Sequence, residues 1–196
     1  MTDDAVREQE GLREREARAR FLARVFDLTI VVTPLFLALS IVVGIVCGLT
    51  GHLEVVDLMQ DRWASMIIGY LGMFLIGALF EAACLSAFGS TPGKSLMGVR
   101  VYARDGRNPG FFTSLGRWGE CLVIGRGLGL PLVSLIAGVN ALDRYKKDGT
   151  TAWDEHSHTE VRCKRVGAWR WALGVLAWMA SITLLVASRL LDQGQS

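Results

Sequence analysis

A few groups of residues in this chain have types and spacings that could do chemistry. Arg24 and Asp27 stand three apart, which on a helix places them on one face within reach of an ion pair. They open an uncharged run from Leu28 to Leu49, and a carboxylate at the edge of such a run needs a partner, water or a cavity. Two roles are open to them. Asp27 either binds a cation or a proton, with the charge of Arg24 tuning it, or the pair orders the membrane entry and locks its helix to a later segment through Asp154. Glu81 is the single charge in a second apolar run, and Arg126 lies in a third. An acid and a base inside a membrane are functional candidates, and the simplest arrangement pairs them, with Ser134 and Asn140 as neutral ligands nearby in sequence. A structural ion pair is the alternative.

Gly89-Ser90-Thr91-Pro92-Gly93-Lys94-Ser95 superficially suggests a phosphate loop. The glycine spacing is one residue short, a proline sits in the turn and an apolar span replaces the required strand, so nucleotide binding is rejected. Pro92 and Gly93 are expected to shape the exit from the second apolar run, with Lys94 meeting lipid phosphates. Asp154-Glu155-His156-Ser157-His158 carries oxygen and nitrogen ligands, and on a strand the two histidines would share a face. Without a third ligand of clear spacing, a polar loop is the plainer reading and no metal site is assigned. No nucleophile elbow or catalytic triad pattern is visible; neither an enzyme activity nor a cofactor is expected.

The elements that must position these residues follow from hydropathy. Of 196 residues, 51% are hydrophobic and 20% charged, and the mean hydropathy is +0.34, too apolar for an ordinary soluble domain. Leu28 to Leu49 would make a helix of roughly 33 Å, enough to cross about 30 Å of hydrocarbon; Pro34 should kink it, with a hydroxyl such as that of Ser40 satisfying the freed carbonyl. Trp63 to Phe88 and Trp169 to Ser188 are further spans, each entered through an interfacial tryptophan. Cys121 to Leu142 differs, because Gly125-Arg126-Gly127-Leu128-Gly129-Leu130-Pro131 weakens a continuous helix. A cleaved signal peptide is not expected, given the long charged lead before the first run.

The net charge of +2 offers no excess for nucleic acid, so the position of the charges matters more than their sum. Arg7, Arg13, Arg15, Arg18, Arg20 and Arg24 precede the first span, whereas Glu54, Asp57 and Asp61 dominate the loop after it. That sets the amino terminus in the cytoplasm. Both flanks of Cys121 to Leu142 are also basic, so this segment is expected to enter and return, with four simple spans as the alternative. The expected fold is an all-α membrane protein with three transmembrane helices, one broken or re-entrant segment and a small cytoplasmic β-hairpin cap. Gly98 to Ala103 with Arg104-Asp105-Gly106-Arg107 supplies the hairpin signal, and alternation at Thr159 to Cys163 supplies a strand to pair with it. Phe111 to Glu120 reads as an amphipathic helix lying on the inner surface, and residues 1–20 as a solvated, mixed-charge helix. Cys47, Cys84, Cys121 and Cys163 read as buried hydrophobes. Gly44 with Gly48, and Gly125 with Gly129, have the spacing that lets helices approach closely.

These features, in this order, resemble the RDD family of small bacterial membrane proteins. Arg24 and Asp27 match the family's first arginine and aspartate, Thr91, Pro92, Gly93 and Lys94 its TPGK segment, and Asp143-Arg144 with Thr151-Ala152-Trp153-Asp154 its closing region. A histidine usual before the last aspartate is Trp153 here, so its role does not transfer. The resemblance covers about residues 20–165, dividing the chain into an arm (1–20), an RDD-like membrane domain (21–165) and an added span and tail (166–196). It implies an inner-membrane protein for which transport, including cation/proton exchange, is one suggestion. The first expectation is thus a small, oligomeric ion-handling protein using Asp27, Arg24, Glu81 and Arg126. The second is a non-transport accessory protein that binds a membrane complex or anionic lipid.

Overall fold

The computed structural model describes residues 3–124, 140–141, 143–145 and 147–193, and it is mostly helical, at 77%. Helix α1 (Asp3–Phe26) passes through a π-helical turn (Asp27–Val32) into α2 (Thr33–Thr50). The widened turn stands just before Pro34. Thr33 donates both its N–H and its hydroxyl, the latter at 2.8 Å, to the carbonyl of Leu28. The expected helper, Ser40, instead bonds the Phe36 carbonyl of its own helix.

Gly51 ends α2 in a left-handed conformation, and α3 (Leu53–Gln60) leads to α4 (Arg62–Phe88). Asp61 caps α4 by accepting from the Ala64 N–H at 2.7 Å; Gly89, at φ 69°, stops it. Among the described residues, two stretches, Gln9–Thr50 and Arg62–Phe88, are long and apolar enough to cross a membrane. α2 buries none of its residues and leaves Ile41 at 62% and Leu49 at 83% exposure, an apolar surface that lipid would cover and water would not.

Beyond α4 the chain builds a small cap. Helix α5 (Pro92–Leu96) precedes β1 (Val99–Ala103); α6 (Phe111–Val123), α7 (Ala152–His156), β2 (Thr159–Cys163) and α8 (Ala168–Gln193) follow in order. β1 and β2 pair antiparallel, with Val101 opposite Val161. The expected hairpin is therefore a two-strand sheet whose strands come from distant stretches. Gly106 does make the turn signalled by Asp105-Gly106, at φ 80°, but the chain goes on into α6 rather than returning as a strand.

The two halves of this cap repeat each other. Gly89, Thr91, Lys94, Gly98 and Val101 are matched at one constant spacing by Gly149, Thr151, Asp154, His158 and Val161. In each copy a left-handed glycine precedes a threonine at the start of a one-turn helix, and a second left-handed residue, Gly98 or His158, releases the strand. The pairing of Val101 with Val161 puts a local two-fold axis between the copies.

The core below the spans joins Ala19, Leu22 and Ala23 of α1 to Met97 and Val99, with Leu96, Val161, Cys163 and Trp171 packed against it. Residues 1–20 are thus not wholly a solvated helix, although the expected Glu14–Arg18 pair is present at 2.6 Å. α6 does not lie flat on a surface. Its Trp118 stacks edge-on against Phe74 at 5.8 Å, while Asn108, just before it, donates to the Ala87 carbonyl at 3.0 Å, so it runs antiparallel alongside α4. Gly44 and Gly48 meet nothing within 4 Å among the described residues, so the pair has no packing role against those. Most of Cys121 to Leu142, with Gly125, Arg126, Gly129 and Ser134, lies outside the described residues.

Candidate functional site

The sequence candidates converge where α1, α4, α5, α6 and α7 meet. Asp27 is 8% exposed. The Thr91 hydroxyl donates to one of its oxygens at 2.5 Å and the Gly93 N–H to the other at 2.7 Å. Thr91 is also the N-cap of α5, accepting weakly from the Lys94 N–H at 3.4 Å, so one hydroxyl both starts the helix and fastens it to the π-helical turn between α1 and α2. Gly93 is required for this docking. A Cβ there would overlap the Ala23 carbonyl oxygen and come within 2.9 Å of the Asp27 carboxylate.

Arg24 does not pair with Asp27. Its guanidinium donates to the sulfur of Cys121 and lies 3.5 Å from Glu81. Glu81 gathers two further cations, Lys94 at 2.5 Å and Arg117 at 3.4 Å. Its expected partner, Arg126, lies outside the described residues. Lys94 corrects a second expectation, because it is 8% exposed and donates to Glu81 rather than reaching lipid phosphate. Burial pushes its ammonium below the usual lysine value, while Glu81 pulls the other way.

Arg117 reaches on to Asp154, at 2.7 Å. Asp154 also accepts from Arg20 at 3.0 Å and from the Thr151 hydroxyl at 2.7 Å. Burial raises the Asp154 carboxyl, but Arg117 and Arg20 outweigh it and hold the group below the usual aspartate value. The locking partner foreseen for Asp154 was the Arg24–Asp27 pair; the residues that do it are Arg20, one turn earlier, and Arg117. The charges alternate along one row, Lys94, Glu81, Arg117 and Asp154, and its two ends are equivalent positions of the cap repeat.

Arg117, Arg20 and Thr151 were missed as site residues. Arg117 lies on the buried face of α6 with Ser114 and Cys121, and the i, i+3, i+7 spacing of those three polar side chains was the available signal. Of the remaining motif residues, Asp143 is exposed and Pro92 opens α5. His156 and His158 do not share a strand face: His156 closes α7, 3.9 Å from Glu120, and His158 takes a left-handed turn at φ 51°. A shallow cavity of about 260 Å³ opens between Gly11, Glu14, Arg15, Arg18 and Trp171, none of which belongs to the charge row.

The RDD family profile matches residues 15–157, most of the chain and every residue of this network. The chain belongs to the RDD family. RDD proteins are membrane proteins, which accounts for the exposed apolar surfaces of α2 and α4. No curated protein and no solved structure matches the chain. The matched range ends just after α7, so all of β2 and all of α8 lie beyond it.

Proposed function

We propose that this RDD protein is a polytopic inner-membrane accessory protein, without enzymatic activity, whose buried charges clamp a rigid cytoplasmic cap onto its spans and present it to the bilayer or to a membrane partner. The observation that carries this is the direct bonding of all three carboxylates at the junction. Asp27, Glu81 and Asp154 each accept from protein donors, and an ion-carrying carboxylate must exchange such partners for a ligand. The basic arm before α2 supports a cytoplasmic amino terminus. Hydrogen bonding between β1 and β2 supports placing the flanks of Cys121 to Leu142 on one side, so that this segment enters and returns and α8 is the third span.

Ion handling is the second reading, favoured by one feature: Asp27, Lys94 and Glu81 stand together at the edge of the spans, where Lys94 could trade places with a mobile cation. Reconstituted vesicles separate the two. The accessory reading expects cation-driven proton flux no greater than in protein-free vesicles, together with faster proteolysis between Gly98 and Arg107 in Glu81→Gln. Flux abolished by Asp27→Asn would sink it in favour of transport.

A further inference from the structure

The cap carries a second charged feature that the clamp does not use. Arg100 and Arg162 stand directly opposite each other across the β1–β2 ladder. Both are exposed, and each guanidinium lies 5.2 Å from the centre of the Tyr102 ring. Like charges opposed across a sheet are destabilising. Glu160 bonds Arg162, at 2.9 Å, and so offsets one of the two, leaving the face with a net positive charge.

Its surroundings say what anion it meets. Arg100 donates to the Asn108 side-chain oxygen at 3.5 Å, and the Asn108 amide donates to the Ala87 carbonyl. The Val101 N–H donates to Gly89 at 2.8 Å. β1 is thereby stitched to the last turn of α4, beside Phe88, which is 70% exposed, and near the start of α6, where Phe112 is 83% exposed. Trp63, at the other end of α4, is 68% exposed. From Trp63 to Phe88 the helix rises about 37 Å, close to the roughly 40–45 Å between the outer limits of the two headgroup layers. Trp63 is the interfacial residue at one end of the span, and the left-handed Gly89 that stops the apolar helix after Phe88 sets the headgroup level on the cap side. The arginine pair sits at that level.

We propose that the Arg100–Tyr102–Arg162 face is a binding site for the phosphate of an anionic phospholipid, with Phe88 and Phe112 seated among the headgroups beside it. Glu160 takes the Nε and one terminal nitrogen of Arg162, so the donors offered to phosphate oxygens are those of Arg100 and the remaining terminal nitrogen of Arg162, and the Tyr102 ring beneath both limits the side-chain freedom lost on binding. The site takes the lipid-contacting role that the sequence suggests for Lys94, which the clamp consumes. It rests on the reading of α4 as a span.

The test uses the full chain in vesicles of phosphatidylcholine containing spin-labelled phosphatidylglycerol or spin-labelled phosphatidylcholine, and reads the motionally restricted fraction of each. Only protein that floats with the vesicles is counted, so failure of the spanning reading shows as protein left at the bottom of the gradient. Wild type is expected to prefer phosphatidylglycerol. Arg100→Gln with Arg162→Gln should lose that preference by about fivefold for each arginine removed, Arg100→Lys with Arg162→Lys, which keeps the charge but not the planar donors, should fall between it and wild type, and Arg15→Gln with Arg18→Gln should leave it unchanged. Should the double glutamine variant misfold, Arg162→Gln alone carries the test, since its side chain is exposed. A preference that survives in a floating, folded glutamine variant would overturn the assignment. So would capture of a poly-glutamate peptide in competition with phosphatidylglycerol vesicles, which would give the face to an acidic protein partner.

Discussion

Asp154 shows how much one buried carboxylate can hold together. It ties α1, α6 and α7 through Arg20, Arg117 and Thr151, and removing one member of a buried ion pair leaves the other charged and unpaired. Asp154→Asn should therefore cost about 3–5 kcal/mol, read as a lowered thermal midpoint in detergent. The same residue fixes the direction of an acid effect. Its folded-state value lies below the usual aspartate value, so the unfolded chain binds the proton first as pH falls. The stability it contributes is complete above the ordinary aspartate range and disappears as pH drops through the folded value. The acid limb of the stability profile should be shallower in Asp154→Asn than in wild type; two parallel limbs would show that another carboxylate governs the acid transition. Which residues carry charge near the membrane could be read from the chain itself. Their partners could not, because Arg24 with Glu81, Lys94 with Glu81 and Arg117 with Asp154 are choices among several cations within reach of each acid, made by how α4, α5 and α6 pack.

At the scale of elements, local patterns anticipated much and misassigned in a consistent way. The alternation at Val99 to Ala103 and Thr159 to Cys163 marked both strands, and Asp105-Gly106 marked a turn. The turn did not make a hairpin; β1 pairs with β2, the partner expected from its alternation, and the two strands are equivalent parts of the cap repeat. α6 was expected on a surface because its apolar residues fall on one face. Its polar face, with Ser114, Arg117 and Cys121, is turned inward, Trp118 packs on α4, and Phe112 points outward. The sheet register yields a direct check. Lys164 donates to Gly98 and Arg104 to His158, so Val99 and Cys163 form a pair without backbone bonds between them, the closer kind of pair in an antiparallel ladder. Val99→Cys should form a disulfide with the native Cys163 under mild oxidant, seen as two fragments held together after cleavage between them. A shift of register by one residue would point the two sulfurs to opposite faces and prevent the bond.

For the whole molecule, the decisive feature is that a cap assembled from residues far apart in sequence is bolted to the long apolar helices. With β1 and β2 in one sheet, single cysteines replacing Arg107 and Lys164 in a cysteine-free background should react with a membrane-impermeant maleimide from the same side of sealed vesicles. Labelling from opposite sides would break the enter-and-return topology proposed for Cys121 to Leu142. The sequence by itself determined that the chain belongs with membrane proteins, which stretches form its long apolar helices, and which charged residues stand at the ends of those stretches. These follow from hydropathy, helix punctuation and side-chain chemistry, all local. Only the tertiary structure decided that Lys94 and Asp154 are ends of one charge row, that Arg117 joins them, and that the lysine of the TPGK segment faces a carboxylate instead of lipid. Such choices rest on which surfaces pack together, and a buried charge takes whatever opposite charge that packing brings within bonding distance.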